Sequence, residues 1–357
     1  NLSFGLLTDF QDADEENLSQ DGPLLQVTRR GIEELNRKYA RADAAAETGA
    51  VPAGAAASSR DRKHGPFFLF HRPRRWNPQE RLWMGYERKR GKLAELNALL
   101  RGGAMDAFSL IVGDTSILPE IKYVITLDTD TQLPRESAHQ FVGTMAHPLN
   151  HPRLEEAGGA KNYRMVKKGY GILQPRVATS LSSTNESRYA WFFGGEAGID
   201  PYTRIVSDVY QDLFHQGSFV GKGIYDVDAF EHALCRRFPE NRVLSHDLLE
   251  GCYARAGLLS DVQLYEEFPT RYLADVKRRH RWIRGDWQLA SWLLWRVPGP
   301  DASYQPNPLP PLARWKLMDN LRRSLMPLAL TLLLAAGWIG LHDPWFWTMA
   351  VIGVFAI

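Results

Sequence analysis

The stretch Tyr123-Val124-Ile125-Thr126-Leu127-Asp128-Thr129-Asp130-Thr131 decides the architecture. An apolar, β-branched run ends abruptly in Asp-x-Asp, the pattern of a buried strand with carboxylates at its carboxyl end. In open α/β sheets ligands bind beyond the carboxyl ends of the strands, so Asp128 and Asp130 are placed to meet one. Two such carboxylates suit a hard divalent cation. Mg²⁺ or Mn²⁺ takes oxygen ligands and completes its shell with substrate phosphates and water. Asp128 and Asp130 are therefore the expected metal ligands, with the metal neutralising charge on a departing diphosphate. A strand-end turn capped by Asp has the same signature, and the rest of the chain decides between the two readings.

Outward from this strand, residues 4–10, 67–71 and 169–177 form further short apolar runs that read as strands. Residues 24–40 carry Leu24, Leu25, Ile32, Leu35 and Tyr39 on roughly one helical face, and residues 88–100 group Leu93, Leu96, Leu99 and Leu100. Strands alternating with helices predict an α/β, Rossmann-like fold: a mixed, mainly parallel sheet with helices on both faces. Residues 42–65, rich in Ala, Gly and Ser, and residues 154–162 read as loops. Residues 297–312 hold six Pro and read as a stiff linker.

Beyond the linker, residues 324–341 are 18 uncharged residues, and residues 345–357 form a second apolar run after the turn His342-Asp343-Pro344. The first run just reaches the length of a membrane-spanning helix. Arg314, Lys316, Arg322 and Arg323 precede it, in the pattern of a cytoplasmic flank, and Trp338, Trp345 and Trp347 suit the opposite interface. The expectation is a membrane region at 313–357 in contact with lipid; a buried helical hairpin is the alternative.

The chain has 357 residues, 44% hydrophobic and 24% charged, which suffices for a large α/β domain with an appendage. A net charge of +2 gives no case for nucleic acid as a partner. Eleven Trp is a high count, and Trp is common where sugars stack and at membrane interfaces. Cys235 and Cys252 have no metal-ligand spacing and make no disulfide framework, which fits a reducing compartment. Asn1 leads straight into a strand and Ile357 lies inside an apolar run, so both ends read as cuts in a longer chain.

Four further motifs carry chemistry. In Leu244-Ser245-His246-Asp247-Leu248-Leu249-Glu250-Gly251, Ser and Asp are good helix caps, and Asp247 is equally placed as a general base for an acceptor hydroxyl. In Arg278-Arg279-His280-Arg281-Trp282-Ile283-Arg284-Gly285-Asp286-Trp287, Arg278 or Arg281 suits a donor diphosphate, which a guanidinium can grip through two oxygens. Trp282 would then floor the acceptor sugar, with Trp287, Trp292 and Trp295 continuing as an apolar helix face; a basic surface next to lipid is the other reading. At the end of the first strand, Asp9 or Asp12 can hold a nucleotide or serve as a plain loop Asp. The small residues of Phe219-Val220-Gly221-Lys222-Gly223-Ile224-Tyr225 let backbone approach a ligand, or make a tight turn.

The order of these pieces resembles the processive inverting glycosyltransferases of the cellulose, chitin and hyaluronan synthase type. Their metal motif matches Asp128 and Asp130, their Thr-Glu-Asp base matches Ser245-His246-Asp247, and their Gln-x-x-Arg-Trp matches Arg278 to Trp282. Lys92 with Leu96-Asn97 matches their donor-site segment. His246 and Arg278 depart from that pattern. In detail the wording is similar to the cyclic β-1,2-glucan synthases of Gram-negative bacteria, glycosyltransferase family 84, through Phe70-His71-Arg72-Pro73-Arg74-Arg75-Trp76-Asn77-Pro78 and Glu87-Arg88-Lys89-Arg90-Gly91-Lys92-Leu93 as well as the motifs above.

The resemblance implies an A-type glycosyltransferase catalytic domain at 1–297, truncated before its first nucleotide-binding strand, then the 298–312 linker and transmembrane helices at 324–341 and from 345. It implies a UDP-glucose donor, a glucan acceptor chain, Mg²⁺ or Mn²⁺, and a larger multidomain protein of the bacterial inner membrane with this domain facing the cytoplasm. Asp9, Lys92, Asp128, Arg278 and Arg281 would bind donor, and Gly221 and Trp282 acceptor. Asp247, Arg281 and Trp282 would carry the catalysis.

Overall fold

The computed structural model describes residues 2–48, 65–156, 164–194, 208–243, 246–301 and 303–356. The chain divides into two compact units, Asn1–Lys122 and Tyr123–Ile357.

In the first unit, β1 (Phe4–Asp9) leads to the long helix α1 (Asp21–Thr48) and returns in β2 (Phe67–Arg72). The short strands β3 (Arg75–Asn77) and β4 (Leu82–Met84) pair with each other before α2 (Arg88–Leu100) and β5 (Leu110–Val112). The sheet order is β1-β2-β5, with β1 and β2 parallel and β5 antiparallel to β2. Five of the six β2 residues are buried, as befits a central strand. Asn36 locks α1 onto this strand: its amide donates to the Phe67 carbonyl (2.8 Å) and its oxygen accepts from the Phe67 N–H (2.9 Å).

The second unit opens with β6 (Tyr123–Thr126), β7 (Thr131–Gln132) and α3 (Ser137–Ala146). The hairpin β8 (Arg153–Glu156) and β9 (Arg164–Lys168) follows, then β10 (Ile172–Thr179) and the short helices α4 (Leu181–Thr184), α5 (Arg188–Phe193) and α6 (Val209–Phe214). Next come β11 (Gly223–Asp226), α7 (Val227–Leu234), α8 (Asp247–Ala254), β12 (Ala256–Glu266) and α9 (Tyr272–Gln288). A small hairpin, β13 (Arg296–Pro298) with β14 (Tyr304–Pro306), precedes α10 (Pro311–Ile339) and α11 (Pro344–Ala356). The main sheet has the order β6-β11-β10-β12-β7. Phe141 and Met145 of α3 pack on Leu173, Ile224, Leu259, Val262 and Leu264 of the sheet to form its core.

Two expectations need correction. The sheets are mixed but not mainly parallel: among the described residues only β1–β2 and β10–β12 run parallel, against antiparallel β2–β5, β6–β11, β10–β11 and β7–β12. Alternation of strands and helices does not fix direction; where the connector stays at the edge at which a strand ends, the next strand runs back, as β11 does after β10.

The second correction concerns the transmembrane helices expected at 324–341 and 345–357. Among the described residues, no helix is long and apolar enough to cross a membrane. The helix carrying the first run ends at Ile339, leaving 16 residues from Ser324 free of charge, whereas a span needs about 20. The flanking cations are engaged within the fold. The Lys316 ammonium donates to the carbonyls of Gln216 (2.9 Å) and Gly217 (2.8 Å), the Arg314 guanidinium donates to that of Leu293 (2.6 Å), and Arg322 and Arg323 pair with Asp319.

Smaller differences have local causes. α1 runs on through residues 42–48, where the alanines favour helix, and residues 153–156 are strand; residues 49–64 and 157–163 lie outside the described residues. The Trp287–Trp295 helix face is not continuous, because α9 stops at Gln288. Trp292 is a core residue, 1% exposed and edge-on to Phe238.

Candidate active site

Strand direction gathers the candidate site side chains of the second unit. β6, β10 and β12 run the same way, so their carboxyl ends at Thr126, Thr179 and Glu266 share one edge of the sheet, and β11 begins there. Asp128 lies just past β6, where its carbonyl accepts from the Thr131 N–H (3.0 Å) in a tight turn. Asp130, in the same turn, is exposed. Lys222, immediately before β11, is buried, with its ammonium 3.2 Å from Asp128 Oδ2 and paired with the Glu266 carboxylate. Burial opposes charge on this lysine, but the fields of Glu266, Asp128 and Asp130 outweigh it and hold its pKa above the usual lysine range.

Gly221 takes a left-handed backbone, with φ of 88°. A Cβ there would come within 2.8 Å of the Asp247 carboxyl, so the glycine lets the backbone lie directly against that side chain. Asp247 is the first residue of α8. His246 Nδ1 faces two carboxylates, Glu250 Oε1 at 2.8 Å and Asp247 Oδ1 at 3.6 Å. His246 and Glu250 are 3% and 2% exposed, so the imidazole and its nearer carboxylate are held together in the interior. Ser245 lies outside the described residues. Among the described residues, His246, Asp247 and Glu250 are the group of three or more side chains whose ligand atoms fall within 4.8 Å of one another; Asp128 and Asp130 do not belong to such a group.

Helix α9 brings the third motif to the same region of the unit through Phe268, two residues past Glu266. The Arg278 guanidinium stacks over the Phe268 ring (5.2 Å) and the Trp282 ring (4.8 Å) and donates to Asp275 Oδ1 (2.7 Å). Asp275 also accepts from Arg279 (2.8 Å) and the Tyr189 hydroxyl (2.8 Å). Burial pushes its carboxyl up, and the bonds from Tyr189, Arg279 and Arg278 outweigh this and hold it below the usual range. Arg281 is exposed on the same helix.

The first unit holds Asp9 and Lys92 together by itself. Lys92 Nζ is 3.6 Å from Asp9 Oδ2, but the carboxylate is already gripped by buried Arg72 through two bonds of 2.7 and 3.1 Å. A nucleotide at Asp9 would have to share that carboxylate with Arg72. Asp12 pairs with Arg88 at 2.9 Å.

Lys222, Glu266, Glu250, Asp275 and Arg72 were not singled out as site residues from sequence. Glu266 obeys the same rule as Asp128, an acid at a strand's carboxyl end, and a lone Lys between two glycines was the signal for Lys222.

No family model matches the chain. A curated relative does: 340 residues, 94% of the chain, are 44% identical to the cyclic β-(1,2)-glucan synthase NdvB of Rhizobium meliloti (strain 1021). The chain is a homologue of one region of a cyclic β-(1,2)-glucan synthase. It spans 11% of that relative's length.

Proposed function

We propose that this chain is the catalytic region of an inverting glucosyltransferase that moves glucose from UDP-glucose onto a growing β-1,2-glucan. The observation that carries the reading is the junction at Gly221-Lys222. Gly221 lies against the Asp247 carboxyl, and the next side chain holds Asp128, so one short segment joins a candidate base to a candidate diphosphate site. The 44% identity to a glucan synthase supports the substrate class.

Asp128 and Asp130 fit a divalent cation, because Mg²⁺ is commonly held by one or two carboxylates together with substrate phosphates. When bound, Mg²⁺ or Mn²⁺ would supply charge neutralisation at the diphosphate. Lys222 adds a fixed positive charge beside the same carboxylate. Asp247 accepts the proton of the acceptor hydroxyl. That oxygen bonds to the anomeric carbon from the face opposite the diphosphate, the carbon–diphosphate bond breaks, and an α-linked donor gives a β-linked product. Asp275 pre-sets Arg278, which together with Arg281 stabilises the departing UDP, while Trp282 orients the acceptor.

The test is incorporation of radiolabelled glucose from UDP-glucose by the full-length protein, with and without EDTA, beside Asp128→Ala. Metal-dependent incorporation that vanishes in the variant is expected, with β-1,2 linkages in the product. Folded wild-type protein that incorporates nothing from UDP-glucose would sink the reading.

A further inference from the structure

A pocket of about 450 Å³ opens beside the sheet edge, on the ladder between β10 and β12 and under α4 and α5. Its volume falls within the roughly 300–1,000 Å³ of small-ligand sites. It arises from a break in the ladder. Pro175 pairs with Leu259 but Arg176 pairs with Gln263, so residues 260–262 of β12 bulge out, and Arg176 and Gln263 at the resumed register line the pocket. Bulges recur beside functional sites because they re-aim side chains.

The lining has a consistent chemistry. Trp191 of α5 contributes an indole that is 66% exposed. Thr179, at the end of β10, contributes a hydroxyl that is buried and has no hydrogen-bond partner among the described residues. Asn185 and Gln263 add side-chain amides, each with donors and an acceptor. Among the described residues the lining holds no carboxylate, and Arg176 is its single cation. A phosphorylated ligand calls for more positive charge than this, and a purely apolar ligand would leave Thr179 unsatisfied. An aromatic face bordered by neutral hydrogen-bonding groups matches a pyranose, which offers C–H groups on its face and hydroxyls on its rim.

The position matches as well. Thr179 is the ladder partner of Glu266, the residue that pairs with Lys222 beside Asp128. The pocket is thus one ladder step from the carboxylate cluster.

The geometry points to this pocket as a sugar subsite that holds part of the β-linked glucan chain, with Trp191 as stacking platform and Thr179 as hydroxyl anchor. The inference rests on the glucan-synthesising reading above and adds a second place at which the polymer is held. Isothermal titration of the full-length protein with linear β-1,2-linked glucose oligomers tests it. Trp191→Ala should weaken oligomer binding about tenfold or more, and Thr179→Val about fivefold. Trp191→Phe, which keeps an aromatic face, should lose less than Trp191→Ala, and UDP-glucose affinity should be unchanged in all three variants. Oligomer affinity at the wild-type level in both Trp191→Ala and Thr179→Val would overturn the subsite. UDP-glucose transfer by the wild-type protein is measured alongside. If transfer is absent while oligomer binding still depends on Trp191, the subsite stands and the transferase reading falls; if transfer is present and Trp191 is irrelevant, the reverse holds.

Discussion

Gly221 sets the geometry of the site through one backbone angle. At φ of 88° a Cβ is strained, by about 1–2 kcal/mol, and here it would also press on the Asp247 carboxyl. Gly221→Ala should therefore lower the melting temperature slightly and transfer far more, a split that melting curves and rate measurements on the same sample would show. His246 acts on the same acid from the other side. Without its ring, Asp247 and Glu250 lose the Nδ1 that both carboxylates face. His246→Ala should therefore lower glucose transfer, read by radiolabel, while a melting curve on the same sample shows how much of the loss is unfolding. Asp128 and Asp247 were legible in sequence because each sits at the mouth of an element, where an apolar run stops at an acid. Lys222 and Glu266 were not, because their partnership joins residues 44 apart in sequence and exists only once β11 and β12 lie in one sheet.

At the scale of elements, α9 depends on Asp275. This carboxylate is 1% exposed and gathers Tyr189, Arg278 and Arg279, so it both docks the helix and fixes the Arg278 side chain. Replacing it by Ala should cost about 3 kcal/mol near neutral pH, because the partners lose their shared counter-charge. The sign of the pH dependence follows from its lowered pKa. A carboxylate depressed on folding adds stability above its unfolded value of about 3.9, and that contribution fades as pH falls through the lower, folded value. Denaturant unfolding of wild type and Asp275→Ala should thus differ clearly at pH 7 and converge below about pH 4. A gap that stays constant with pH would mean that packing, not charge, is what the substitution removes. The helices α1 and α2 were legible from periodicity, since burial of one face imposes it, and β1, β2, β6 and β10 from their apolar runs; the short strands and short helices were not, because a few residues carry no period. The length of α10's apolar part was not, because the cations before it look like a membrane flank in sequence and prove to be bonded to carbonyls and to Asp319.

At the scale of the molecule, the candidate site of the second unit concentrates on one edge of one sheet. Three strands end there and a fourth begins, which brings Asp128, Lys222, Glu266 and, through Gly221, Asp247 to a common rim. The order of motifs along the chain was readable, because each belongs to a separate strand end or helix start. Strand direction was not, because it depends on which edge each connector returns to. The sheet itself rests on α3, and Phe141→Ala, at a fully buried position, should cost about 3–5 kcal/mol in denaturant unfolding. The loss of transfer should then track the unfolded fraction, unlike the Gly221 variant.

The central claim is that Asp247 is the base. The most direct measurement compares Asp247→Asn with wild type in the full-length protein, following UDP-glucose binding by titration and glucose transfer by radiolabel on the same preparations. The account predicts unchanged donor affinity with transfer reduced by about 10²- to 10⁴-fold, the usual worth of a general base. Transfer at the wild-type rate would contradict it and remove Asp247 from the mechanism.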